Sequence, residues 1–246
     1  MNFIESVQNK RIKELTRLHT KKERDKIGCF LVEGEHLVKE AFSAGCLQEV
    51  FINKDTSWKE SIPSTLCSDA VLNKLSVQSS QAKIIGLCRK KEWDEKEEKQ
   101  ILLLDSVQDP GNMGTLLRTA CAFGIDQVYC SMMCADIYNP KTIQASQGAI
   151  FHIPVCYTDL KSLIHKKQAE GLTIYGTSLH ERSLPLSKVE KKTSYGIVLG
   201  NEGNGVHREL IDACDVIVKI EMHAFESLNV AIAGGILMYE FDRNKG

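Results

Sequence analysis

Aromatic side chains are scarce in this sequence, at 7% of 246 residues, and none forms an obvious platform for stacking bases. An excess of one charge sign is missing too: 31 Lys and Arg stand against 32 Asp and Glu, for a net charge of −1. A globally basic, polyanion-coating protein is thereby excluded, and any contact with nucleic acid has to come from a local basic face. No uncharged run is long enough to span a bilayer. The longest near the C-terminus, Ser227 to Tyr239, falls short of the roughly 20 residues a spanning helix needs. The nine cysteines are an odd number and no secretory leader is visible, so reduced thiols in the cytosol are expected. Only Cys130 and Cys134 are close, and no further His or Cys pair completes a zinc site, so no metal is expected. Glu5 and Glu14 argue against an organellar transit peptide. Solenoid-period repeats and low-complexity segments are absent as well. What is there, 43% hydrophobic and 26% charged residues, suffices for a sizeable core in one large domain or two modest ones. These features describe a soluble intracellular protein.

The charged stretch Lys91 to Lys99 reads as a linker, which divides the chain into domains 1–95 and 96–246. Residues 1–26 hold eight cations and four acids, a local +4. Ile12, Leu15 and Leu18 fall at helical spacing, so one helix over 9–26 is expected with its charges outward. That face is either simply solvated or a contact for an RNA backbone. Beyond it, strands at 30–32, 49–52 and 84–87 and helices around Leu37–Phe42 and Ala70–Leu75 predict a small α/β sandwich. In the second half, strands at 101–105, 127–130, 173–176, 196–199 and 216–220 alternate with helices at 113–123, 160–169, 207–213 and 228–241. That order predicts a doubly wound parallel sheet, whose ligands gather outside the carboxyl ends of its strands.

Three strand-end loops of the second half are unusual. The first runs from Asp105 through Asp109-Pro110-Gly111-Asn112, a strong turn in which Asn112 is placed to cap the next helix. Arg118 follows on that helix and is either a surface cation or a group looking back over the strand ends. The second, Gly200-Asn201-Glu202-Gly203-Asn204-Gly205, is rich in glycine, which permits positive φ or close approach of backbone to a ligand. Its order is GxxGxG, and Glu202 would repel a pyrophosphate, so a dinucleotide loop is disfavoured. The third, Ser227-Leu228-Asn229, precedes an apolar helix that contains adjacent Gly234 and Gly235. Taken alone, Ser227 or Asn229 is an ordinary helix cap. The glycine pair points to close packing, within the fold or across a dimer.

In order, DPGNMGTLLRTACAFG, IVLGNEGNGV and SLNVAIA resemble the three motifs of the SpoU (TrmH-type) RNA 2′-O-ribose methyltransferases of the SPOUT superfamily. The segment Gly148 to Pro154 is similar to the stretch between the first two motifs, and FLVEGEHLVKEAF resembles an L30e-like substrate-binding domain. The resemblance implies a C-terminal SPOUT-type parallel sheet with a trefoil knot, preceded by a smaller L30e-like α/β sandwich. It implies a homodimer and S-adenosylmethionine as methyl donor, held at Gly200, Ile220 and Leu228, with Thr177 a weaker candidate. It maps the polar site onto Asn112, Arg118, Glu202, Ser227 and Asn229, with Arg118 often supplied by the partner subunit. The implied activity is RNA 2′-O-methylation in the cytoplasm, on rRNA ahead of tRNA. A non-catalytic ribosome-assembly factor of the same fold is the alternative outside enzymes. A chain beginning near residue 98 is expected to keep the cofactor and lose RNA. Two positions depart from the pattern: Glu221 stands where many relatives have Pro, leaving the loop less rigid or more charged, and Gln144 where they often have Arg.

Overall fold

A computed structural model of the chain describes residues 3–77, 82–179, 183–201, 203–223 and 227–243. The chain divides into two compact units, Met1–Trp93 with Asp136–His152, and Asp94–Ala135 with Ile153–Gly246.

The first unit is built on strands β1 (Phe3–Ile4), β2 (Cys29–Glu33), β3 (Leu47–Ile52), β4 (Ser64–Cys67) and β5 (Ile84–Arg89), in the order β1-β4-β3-β5-β2. β1, β4 and β3 are parallel, whereas β5 runs antiparallel to β3 and to β2. The sequence reading places no strand at β1 or β4, because two residues and a Ser64-Thr65 start carry little apolar signal. Helices α1 (Lys10–Thr16), α2 (Lys21–Ile27), α3 (Glu35–Ser43) and α4 (Asp69–Leu75) complete the sandwich. On one face Ile12 and Leu15 of α1 and Val71, Leu72 and Leu75 of α4 form a core with Phe51, Ile85 and Leu87. On the other, Val38 of α3 comes up to Gly86, where a Cβ would lie 2.7 Å from Leu47 Cδ1.

The expected single helix over 9–26 is two helices. Thr20 Oγ1 accepts the Glu23 N–H and starts α2 afresh, after a 3₁₀ turn at Arg17–His19. Arg24 is also not an outward charge. It is buried, its Nη1 donates to the carbonyls of Leu18 and His19, and its Nη2 donates to Asp136 at 2.7 Å. The turn removes two carbonyls from the helical ladder, and a buried guanidinium answers them.

The second unit is a seven-stranded sheet, parallel throughout. Its strands are β6 (Gln100–Leu104), β7 (Gln127–Cys130), β8 (Val155–Tyr157), β9 (Thr173–Thr177), β10 (Leu184–Pro185), β11 (Tyr195–Leu199) and β12 (Val216–Lys219), ordered β10-β12-β9-β11-β6-β7-β8. Five were legible as apolar runs, and the short edge strands β8 and β10 were not. The helices along this half are α5 (Pro110–Ala122), α6 (Pro140–Ser146), α7 (Leu160–Ala169), α8 (Arg208–Ile211) and α9 (Val230–Asp242). Residues 101–104 and 195–199 are buried without alternation, as strands covered on both faces must be. One face packs on Leu160 and Ile164 of α7 and Leu210 of α8. α5 and α9 pack against each other, and α9 also meets β11. The sequence reading places no element at α6, which lies within the stretch that belongs to the first unit. There Tyr138 packs on Phe30 with ring centres 4.6 Å apart, and His152 Nε2 bonds Glu40 at 2.9 Å. Register pairs Leu199 with Leu104 and Val198 with Gly176, so β6, β11 and β9 end together at one edge of the sheet.

Candidate active site

All three unusual loops leave that edge. Pro110 opens α5 at its first turn, where its missing N–H costs nothing. The cap is Asp109, whose Oδ1 accepts the Asn112 N–H at 2.8 Å, so Asn112 is not the cap its position in the turn suggests. Its side chain is thereby released for another contact. Asn229 caps α9, with Oδ1 accepting from Ala231 N–H and Ile232 N–H, and its Nδ2 donates to Asn112 Oδ1 at 2.9 Å. One amide pair thus joins the starts of the two helices, 117 residues apart in sequence.

The second loop folds back on itself. Asn201 and Gly205 exchange backbone hydrogen bonds of 3.0 and 2.9 Å, while Asn201 Oδ1 accepts from Gly203 and Asn204. Gly205 takes φ +69°, and a Cβ on Gly200 would lie 2.1 Å from the Gly205 backbone. Close approach is therefore what Gly200 permits, and the approaching backbone is the loop's own. Asn201 Nδ2 donates to the Ser106 carbonyl at 2.9 Å, tying this loop to the end of β6.

Between the second and third loops lies a cleft of about 510 Å³, lined by Thr177, Gly200, Ile220 and Leu228, all four of the expected cofactor positions. Ser227 lines it as well. Thr177 Oγ1 is committed to the Val198 carbonyl at 2.8 Å, leaving the backbone and methyl group of Thr177 for the cleft. Sequence reasoning missed Val218, Val230, Ala233 and Leu237 in the wall. The last three recur at helical spacing on one face of α9, which is the signal that could have found them. Glu221 accepts hydrogen bonds from the hydroxyl and N–H of Ser187, and that bond chiefly holds its carboxyl below the ordinary range. The added charge is engaged, and it ties the loop where a proline would have stiffened it.

The structure does not bring Arg118 to this cluster. It is exposed, six residues beyond Asn112 on α5, hence about 9 Å along the axis and about a third of a turn round the helix. Glu202 lies outside the described residues. Among the described residues no group of three or more His, Cys, Asp or Glu is placed to hold a metal, and no helix is long and apolar enough to cross a membrane.

The site is an apolar cleft at the strand ends of a parallel sheet, bounded by a glycine-rich loop, with the linked asparagines beside it. Residues 99–239 match the SpoU rRNA Methylase family, and residues 9–86 match the MRM3-like substrate binding domain. The chain is similar to the 23S rRNA (guanosine(2553)-2'-O)-methyltransferase RlmP of Bacillus subtilis strain 168, with 38% identity over 97% of this chain and 98% of that protein. It is similar to a solved RNA 2'-O ribose methyltransferase, with TM-score 0.84 and 29% identity over 99% of each chain. An AdoMet-bound rRNA methyltransferase from Sinorhizobium meliloti shares the fold, with TM-score 0.87 and 24% identity over 99% of this chain and 98% of that one. The chain belongs to the SpoU rRNA methylase family and is an RNA methyltransferase carrying an MRM3-like substrate binding domain.

Proposed function

We propose that this chain methylates a ribose 2′-oxygen of ribosomal RNA. The observation that carries the reading is the Asn112–Asn229 hydrogen bond beside a cleft lined by Thr177, Gly200, Ile220 and Leu228. The cleft's volume suits a cofactor, and its backbone and aliphatic lining suits one held without phosphate contacts. Bound there, S-adenosylmethionine supplies a methyl group already activated on a sulfonium. The chain's own residues then have to orient the ribose hydroxyl and help remove its proton. Asn112 and Asn229 orient the ribose, and Ser227 and Glu202 align donors around it. Arg118 is an electrostatic clamp on phosphate and on the developing alkoxide, because a guanidinium keeps its proton and is a poor base.

The distance between Arg118 and the asparagine pair supports a homodimer in which each Arg118 serves the partner's cleft. An exposed apolar stripe on α9, with Ile232 and Tyr239 at 56% and 49% exposure, supports the same reading. Light scattering should find a dimer, and Ile232→Glu should give monomers without methylation. The parallel-sheet likeness supports the trefoil knot, and the exposed cations of α1 and α2 support a salt-sensitive RNA contact. The likeness to the Bacillus enzyme favours rRNA in the cytoplasm.

The test is transfer of labelled methyl from S-adenosylmethionine to total RNA from a strain lacking this gene, with the modified nucleoside identified by mass spectrometry. A 2′-O-methyl nucleoside in one rRNA fragment is the expected result. Label confined to tRNA would overturn the substrate, and no label with no cofactor binding would overturn the reaction.

A further inference from the structure

We propose that His207 is a positioning residue for cofactor binding, acting as a latch that holds the glycine-rich loop against the end of β6. The inference rests on assigning the cleft to S-adenosylmethionine. Asp105 follows β6 and is 3% exposed. Its Oδ2 accepts two hydrogen bonds from one residue, from the His207 N–H at 2.8 Å and from His207 Nδ1 at 2.7 Å. A carboxylate can only accept, so the proton sits on Nδ1 and the tautomer is fixed. Asp105 Oδ1 accepts from Ser106 Oγ at 3.2 Å. Ser106 itself is held at φ +57°, a left-handed conformation unusual for a residue with a side chain, and its N–H is bonded to Ser131 Oγ.

The latch sits where the loop needs it. Gly200, Asn201, Gly203, Asn204, Gly205 and Val206 all line the cleft, and His207 is the next residue. The near end of the loop is tied by the Asn201 amide to the Ser106 carbonyl, and the far end by His207 to Asp105. Both ties reach the same two residues after β6, so the loop is pinned at each end to one buried point. His207 does not itself line the cleft, and its side chain is 61% exposed. Losing the imidazole therefore removes no wall contact. It leaves Asp105 with two of its three donors and the loop's far end held by the backbone N–H alone, so the loop leaves its bound shape more often. A loop that is competent only part of the time binds its ligand more weakly in proportion to that fraction.

Calorimetric titration of the full chain with S-adenosylmethionine tests this. His207→Ala should raise Kd about tenfold, the scale of one hydrogen bond to a charged group. At saturating cofactor its kcat should match wild type. His207→Asn puts an amide nitrogen at the place of Nδ1 and should restore Kd to within about twofold, whereas His207→Gln puts it at the place of Nε2 and should not. A wild-type Kd for His207→Ala, or a His207→Asn variant as weak as His207→Ala, would overturn the latch. So would a kcat that falls along with affinity. Leu228→Arg separates this from the reading beneath it. Unchanged binding in that variant would mean the cleft is not the cofactor site, and both ideas would fall. Lost binding there, together with a wild-type His207→Ala, would remove the latch alone.

Discussion

Asn229 does two jobs with one side chain: its oxygen caps α9 and its nitrogen holds Asn112. Substitution can separate them. Asn229→Asp keeps the capping oxygen and places a negative charge at a helix N-terminus, where it is favourable, but it faces the Asn112 oxygen with another acceptor. Its stability should stay within about 1 kcal/mol of wild type while methyl transfer falls on the order of 100-fold. Asn229→Ala should lose the same activity and about 1 kcal/mol of stability besides, read by denaturant titration. Glu221 makes a different prediction, one about pH. Its folded pKa lies below the ordinary 4.5, chiefly through Ser187. Its contribution is therefore complete above that value and is lost as pH falls through the lower folded one. The melting difference between wild type and Glu221→Ala should be flat from about pH 6 to about pH 8, shrink on acidification below 4.5 and vanish once pH has passed the lower folded value. Asn229 was legible as a cap, whereas Asn112 was read as a cap in place of Asp109. The bond between them was not legible, since nothing local links residues 117 positions apart.

At the scale of elements, the adjacent glycines of α9 turn out to be unlike. A Cβ on Gly234 would lie 2.5 Å from Leu116 Cδ2 and 2.9 Å from Leu199 Cδ1, so this glycine lets α9 settle onto α5 and β11. At Gly235 the nearest atom is Thr119 Cγ2 at 3.9 Å, ordinary van der Waals contact, so a methyl group fits there without displacing anything in the chain. Gly234→Ala should cost about 1–3 kcal/mol by overpacking. Gly235→Ala should stabilise the isolated chain by about 0.5–1 kcal/mol through helix propensity, yet weaken a dimer that packs through this face. Unfolding measured at two protein concentrations distinguishes the two effects. The helix itself was readable, from a long apolar run after a capping residue, and so were the central strands, whose continuous apolar runs are what a doubly covered sheet demands. Strands β1, β8 and β10 were not, because two or three residues carry no period. The break between α1 and α2 was also missed. Its cause is Thr20 as a cap and Arg24 as a buried donor, and a helical wheel counts both as ordinary polar residues.

On the scale of the whole molecule, the chain passes between its two units three times, after Trp93, Ala135 and His152. The linker at Lys91–Lys99 is one crossing only. A truncated chain starting near residue 98 leaves the stretch Asp136–His152 without the rest of its unit, and with it the buried Ile143, Ile150 and Phe151. It also leaves Asp136 without Arg24. Such a chain should aggregate on expression. Removing both parts of the first unit and closing 135 to 153 with a short polar linker should give a soluble protein that still binds S-adenosylmethionine and has lost RNA affinity. Light scattering followed by calorimetry checks both.

The interleaving also bears on descent. A recombination event with one breakpoint can carry over residues 1–93, but not the later segment that completes the same body. Exchange of residues 1–93 alone would set a foreign first unit against a resident Asp136–His152 shaped for a different one.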